Sequence, residues 1–90
     1  MRVHKQIQVI NKLGLHARAA ARLVRLCCDY ESEVALHNGE KSVDAKSIMG
    51  VMMLAATQGS SLELVVEGND AEVASEEIAA LFGNYFDEGE

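Results

Sequence analysis

The chain has 90 residues, 49% of them apolar, and a formal net charge of −6. That length suits one domain, which we place over residues 1–86, and leaves too little chain for a second core. So much apolar content excludes a disordered chain, and the negative charge argues against nucleic acid as a partner. Val3 to Ile10 alternates, with Val3, Ile7 and Val9 on one face, and reads as a strand. Asn11 to Leu15 contains Gly14 and makes a loop. Ala17 to Cys28, rich in Ala, Leu and Arg, reads as a helix with Ala20, Leu23, Val24 and Cys27 inward. Ser32 to His37 is a second strand, and Asn38-Gly39 is a hairpin signal because both residues tolerate φ > 0. Glu40 to Asp44 should return as a short third strand. Ser47 to Thr57 reads as a helix with Ser47 as N-cap. After a turn at Gln58-Gly59-Ser60, Ser61 to Glu67 alternates as the last strand. Asn69 with Glu72 resembles a capping box for a helix to about Phe86, with Ala74, Ile78, Leu81 and Tyr85 on one face. The acidic tail, residues 87–90, is expected to fray. The order βαββαβα fits an α+β layer pair, with helices on one face of a mostly antiparallel sheet of four strands.

The uncharged stretch Ser47 to Ser61, about fifteen residues interrupted by Gly50, Gln58 and Gly59, falls short of the ~20 apolar residues a membrane helix needs. The start Met-Arg-Val-His-Lys-Gln lacks the apolar core of a signal peptide. We therefore expect a cytoplasmic protein without a membrane partner. Cys27 and Cys28 are adjacent and the three His are scattered at positions 4, 16 and 37, so no zinc spacing is present and no metal or cofactor is expected. The charges are unevenly distributed. All eight Lys and Arg lie in residues 1–46 with five acids, and the other nine acids lie in 47–90, giving +3 and −9. Such polarity can orient an acidic protein partner, unless the two halves intermix in the fold.

Chemistry concentrates at Gly14-Leu15-His16-Ala17-Arg18. A His placed where a helix begins faces unpaired backbone N–H groups, among them that of Ala17, and a partial positive charge. An anion attached to His16 would be held by those amides, as phosphate is at many helix starts. Arg18 is placed to neutralise phosphoryl oxygens through charge-assisted hydrogen bonds. A His near a helix start is more often an ordinary surface residue, and the Gly and Arg shift that balance only in part.

The run Asn11-Lys12-Leu13-Gly14-Leu15-His16-Ala17-Arg18-Ala19-Ala20 resembles the active-site signature of the HPr family, phosphocarriers of phosphoenolpyruvate-dependent phosphotransferase systems. Lys46-Ser47-Ile48-Met49-Gly50-Val51-Met52-Met53-Leu54 resembles that family's second signature, around its regulatory serine. The resemblance implies an open-faced β-sandwich and phosphorylation of His16 on Nδ1. It also implies transfer from a phosphorylated enzyme I to an EIIA-type acceptor, with Arg18 stabilising the phosphate. Many sugar-system members carry Pro after the Arg, where this chain has Ala19, a residue that fits a helix. The ending Phe82 to Glu90 and the Met-rich helix look more like the nitrogen-related branch, often called NPr.

Arg18, Arg22 and Arg25 fall at i, i+4 and i+7, a stripe that is either solvated or a landing surface for an acidic partner. In the second helix Val51, Leu54 and Ala55 can pack inward, which leaves Ile48, Met49 and Met52 as an adaptable apolar contact surface unless the helix is unusually deep. Ser47 needs no role beyond its cap, although the family resemblance offers a regulatory phosphorylation site there. Three functions remain open on these grounds: a monomeric phosphocarrier of a nitrogen-related or sugar-uptake system, a non-catalytic regulatory module using the same surface, and a small enzyme with His16 as general base. The last is weakest, since no partnered acid or second pocket-forming domain is evident.

Overall fold

A computed structural model describes residues 1–87 and contains β1 (Arg2–Gln8), α1 (Ala17–Cys28), β2 (Glu33–Asn38), β3 (Lys41–Asp44), α2 (Ile48–Met53), β4 (Ser61–Glu67), α3 (Ala71–Gly83) and a 3-10 turn, Tyr85–Asp87. The four strands form one antiparallel sheet in the order β1-β4-β2-β3. The last strand in sequence therefore lies between the first two. Period-2 alternation sends Ile7, Val34, Leu36, Leu62, Leu64 and Val66 to one face, where all are buried. The three helices cover that face and leave the other open, which is the layer pair expected from the element order and the open-faced sandwich that the family resemblance implies. On the open face His4 Nε2 and Glu63 Oε2 lie 3.1 Å apart, a solvent-exposed pair that adds little stability.

The inner face of α1 is Ala19, Ala20, Leu23 and Cys27, all without solvent exposure, and Val24 is only partly buried. Ala19 therefore does more than fit the helix, since the core packs directly on it. Burial pushes the Cys27 thiol up to about 12, with the neighbouring Cys28 adding to the rise, so Cys27 is an inert core residue. Cys28 is exposed.

Four local expectations need correction. The hairpin turn lies one residue later than the Asn38-Gly39 signal placed it. Asn38 pairs with Lys41 and stays extended, and Gly39 alone takes positive φ, +64°. Asn38 instead points its Nδ2 at the Leu54 carbonyl, 3.4 Å away. Next, α2 ends at Met53 rather than Thr57. The Leu54 and Ala55 amides bond back to Val51 and Met52, and Ala55 at φ +52° turns the chain out of the helix.

The third correction concerns the start of α3. No capping box forms there, and Asp70 at the N-cap makes no side-chain cap bond. Its carboxylate is used elsewhere, accepting from the Glu31 amide (2.9 Å), the Ser32 amide (3.0 Å) and the Ser32 hydroxyl. Lastly, α3 stops at Gly83, and its inner face is Ala71, Ala74, Ser75, Ile78 and Phe82. Leu81 is half-buried and Tyr85 is exposed; the chain instead turns Phe86 inward, edge-on to Phe82 with ring centroids 4.8 Å apart. Tyr85, Phe86 and Asp87 have φ of 54°, 52° and 63°, an uncommon run for L residues. The buried Phe86 ring and a hydrogen bond from the Arg22 guanidinium to the Phe86 carbonyl hold it. Of the acidic tail only Asp87 is described, and it belongs to this turn; residues 88–90 lie outside the described residues.

The Ser32 hydroxyl, with the Glu31 and Ser32 amides, holds the Asp70 carboxyl below the ordinary carboxylate range. A folded-state value below the unfolded one contributes stability above the unfolded value, about 3.9, and loses it as pH falls through the folded value. Asp70→Asn should therefore be less stable than wild type at neutral pH, and the gap should close in acid. Urea unfolding of both proteins across a pH series checks this; a gap that is constant down to pH 2 would contradict it.

Candidate functional site

Because β4 lies between β1 and β2, the chain leaving β1 and the chain entering β4 run side by side at one end of the sheet. The Val9 amide donates to Ser60 O (2.9 Å), the Gly59 amide to Val9 O (2.7 Å), and Gln58 Nε2 to Ile10 O (3.1 Å). These bonds carry the pairing past the end of β1. Beyond them the chain makes a turn from Asn11 to Gly14, closed by the Gly14 amide on Asn11 O at 3.2 Å. Gly14 has φ +66°, and a Cβ there would sit 2.5 Å from Ala56 O, so both conformation and space require glycine. The Leu15 amide then donates to Ala56 O (3.0 Å), and the Leu15 side chain is buried.

This anchoring places His16 at the N-cap of α1, with extended φ and ψ of −75° and 178°. Its Nδ1 accepts from the Arg18 amide at 3.3 Å. A backbone N–H can only donate, so Nδ1 carries the lone pair and is directed at the helix N-terminus. Imidazole thus stands where Ser, Thr, Asp or Asn would serve better as a cap. The Arg18 side chain is exposed, and Ala17 presents its amide in the first turn. His16, Ala17 and Arg18 are therefore grouped as the sequence reading expected.

The arginine stripe is divided by the fold. Arg25 is exposed in the last turn of α1, whereas Arg22 is half-buried and engaged with the Phe86 carbonyl. On α2, Ile48, Met49 and Met52 are 45%, 74% and 45% exposed, which answers in favour of a surface patch. Met53 (68%) and Leu13 at the tip of the His16 loop (70%) are exposed as well, and sequence reasoning missed both. Met53 lies four residues after Met49 and shares its exposed face of α2. Asn11, fully buried beneath the loop, was also missed, although Asn three residues before Gly is a turn signal. The Ser47 hydroxyl accepts from the Gly50 amide at 3.1 Å, so it serves as the N-cap of α2.

Among the described residues no group of His, Cys, Asp or Glu is arranged to hold a metal ion, and no helix is long and apolar enough to cross a membrane. A depression of about 490 Å³ lies on the open face of the sheet, between Ala35, His37, Val65 and Lys46, and His16 is not part of its lining.

An open-faced βαββαβα sandwich with a histidine at the N-cap of α1 places the chain with phosphocarriers of the HPr type. Residues 3–84 match the family model described as the PTS HPr component phosphorylation site. The chain is 48% identical over 88 residues to phosphocarrier protein HPr of Cupriavidus necator, covering 98% of this chain and 99% of that one. It is 39% identical over 87 residues to phosphocarrier protein NPr of Shewanella violacea, covering 97% and 96%. The crystal structure of HPr-C-His from Thermoanaerobacter tengcongensis superposes with a TM-score of 0.92 at 38% identity, covering 96% of this chain and 97% of that one. The chain belongs to the HPr family of phosphotransferase-system phosphocarriers.

Ala55 holds a left-handed conformation that costs an L residue about 1–2 kcal/mol and glycine almost nothing. Glycine loses more chain entropy on folding, about 0.5–1 kcal/mol. Ala55→Gly should therefore raise stability by about 0.5–1 kcal/mol. Urea unfolding reads the difference, and a loss of stability would show that the Ala55 methyl contributes packing that outweighs the strain.

Proposed function

We propose that His16 accepts a phosphoryl group on Nδ1 from a phosphorylated enzyme I-type donor and passes it to an EIIA-type acceptor. The protein acts as a cytoplasmic monomer built on one HPr-like domain, residues 1–86, with no cofactor. The observation that carries this reading is the hydrogen bond from the Arg18 amide to His16 Nδ1. It leaves that nitrogen unprotonated and holds its lone pair in a defined direction before any donor arrives. In transfer, the Nδ1 lone pair attacks phosphorus, the Nδ1–P bond forms, and the donor's bond to phosphorus breaks with its electron pair leaving on the donor. The phosphoryl oxygens then replace the ring nitrogen as acceptor for the Arg18 amide and accept the Ala17 amide as well, in the positive field of a twelve-residue helix. Arg18 adds a charge-assisted bond to the phosphorylated state. Passing the group on reverses the same steps, so the protein is a covalent carrier rather than a free-standing enzyme.

Arg25, Ile48, Met49 and Met52 form the docking surface in this reading, extended by Leu13 and Met53. Arg22 keeps a structural part through the Phe86 carbonyl, and Ser47 acts as a helix cap. We assign the chain to the nitrogen-related branch from its Met-rich α2 and from the aromatic ending, in which Phe86 packs on Phe82. Offered nitrogen-type and sugar-type acceptors in equal amounts, the phosphorylated protein should transfer preferentially to the first. Preference for the sugar-type acceptor would move it to the other branch.

His16→Ala should fold normally and take no phosphoryl group from phosphoenolpyruvate and cognate enzyme I. Acid-labile, alkali-stable phosphate retained by that variant would contradict the assignment.

Arg18→Ala should lose about 1.5–3 kcal/mol of stabilisation of the phosphorylated state, the worth of a hydrogen bond to a charged group. Arg25 lies ~10 Å further along α1 at 1.5 Å rise per residue, about one Debye length at physiological salt. Arg25→Ala should leave the phosphate nearly untouched and slow association, with an effect that fades as salt rises. Stopped-flow transfer at two salt concentrations separates the two, and equal losses with equal salt dependence would defeat the division. Met49→Glu should weaken donor binding with little change in melting temperature.

A further inference from the structure

Three polar residues are buried among the described residues: Asn11, Ser32 and Ser75. Ser32 serves the Asp70 carboxylate, and Ser75 donates to the Glu72 carbonyl within its own helix. Asn11 serves the loop that carries His16. Its Nδ2 donates to the Gly14 carbonyl at 2.7 Å, while its own carbonyl accepts the Gly14 amide at 3.2 Å. Its Oδ1 is buried and accepts no hydrogen bond within the described protein. Turning the amide over would set two acceptor oxygens 2.7 Å apart, so the donating orientation is the one that chemistry permits. Burying a carboxamide with its oxygen unpaired costs free energy that an apolar side chain would not incur.

The bonds show what that cost secures. The Gly14 carbonyl and the Leu15 amide belong to the same peptide plane. Asn11 Nδ2 holds the carbonyl end of the plane, and Ala56 O holds the amide end at 3.0 Å. A peptide plane cannot twist about its C–N bond, so clamping both ends fixes its orientation. His16 follows one residue later and directs Nδ1 at the Arg18 amide. The tip of the turn, Lys12 and Leu13, is exposed and supplies no comparable restraint.

We propose that Asn11 is a positioning residue for phosphoryl transfer, orienting His16 through the Gly14–Leu15 peptide plane. The inference rests on His16 being the phosphoryl acceptor. Asn11 touches neither the ring nor the phosphate; it narrows the directions in which Nδ1 can meet the donor. Loss of such restraint acts on the transfer step, whereas donor binding depends on surfaces that Asn11 does not reach.

Transfer from phosphoenolpyruvate-charged enzyme I is measured against carrier concentration for wild type, Asn11→Ala, Asn11→Leu and Ser75→Ala. The maximal rate of Asn11→Ala should fall about tenfold, the scale of a small misplacement of a reacting group. Its KM should change by less than about twofold, as expected when ground-state binding is intact. Asn11→Leu keeps roughly the volume but carries no donor, and should fall with Asn11→Ala. Ser75→Ala removes a buried hydrogen bond elsewhere and should keep the wild-type rate. A wild-type maximal rate in either Asn11 variant overturns the proposal, as does an equal loss in Ser75→Ala at a matched loss of melting temperature. If both Asn11 variants fail to fold, exchange of the Asn11 side-chain amide protons in the wild-type protein decides. Protection before and after phosphorylation supports the clamp, and exchange at the rate of a free carboxamide in the phosphorylated form overturns it. Absence of phosphate on His16 in the wild type is a separate result, and it removes the His16 assignment instead.

Discussion

Neither β1 nor β2 has a partner on its inner side until β4 arrives. Each forms an antiparallel ladder with β4, Ile7 opposite Leu62 and Leu36 opposite Leu64, and neither pairs with the other. The sheet therefore closes only when a strand that begins 53 residues after Gln8 takes its central place. Such non-local pairing is entropically late and makes the core cooperative, since Leu62, Leu64 and Val66 supply its middle row. The same insertion brings the β1–α1 loop against the chain between α2 and β4. The geometry around His16 is thus a consequence of strand order as much as of local sequence.

Several choices at that end of the molecule run against stability. Imidazole is a poor N-cap, Ala55 occupies a backbone region suited to glycine, and the buried Asn11 Oδ1 accepts no hydrogen bond from the described residues. Elsewhere a left-handed run from Tyr85 to Asp87 also departs from ordinary backbone, and the buried Phe86 ring and the Arg22 bond to its carbonyl hold it. Asp70 fastens the start of α3 to the segment entering β2 with three hydrogen bonds, and Phe82 and Phe86 pack edge-on in the interior. Three of these local costs fall around the loop that carries His16.

The sequence disclosed those parts of the fold whose cause is local. Alternation placed β4 without error, and helix-forming residues bounded α1 at Ala17 and Cys28. His16 and Arg18 were legible because a helix start and a cation lie within three residues. What escaped had non-local causes. Asp70 abandons its own helix for a segment nearly forty residues away, so the capping box at Asn69 was misleading. Ala55 ends α2 because the following chain must present Ala56 O to Leu15, and no glycine announces that turn. The ending of α3 was misread for a similar reason, since helical periodicity assigned Tyr85 to the core, whereas a left-handed turn held by Arg22 delivers Phe86 there.

All four methionines, Met1, Met49, Met52 and Met53, are exposed, and the interior contains none. The thioethers that an oxidant reaches are therefore separated from the packing that holds the fold. Conversion of Met49, Met52 and Met53 to sulfoxides would turn an apolar, deformable surface into a polar one. The core of Leu, Val, Ile, Ala and Phe would be left as it was. Peroxide stress would thus change the character of the α2 surface and not whether this protein stays folded, and methionine sulfoxide reductases could reverse the change without any refolding.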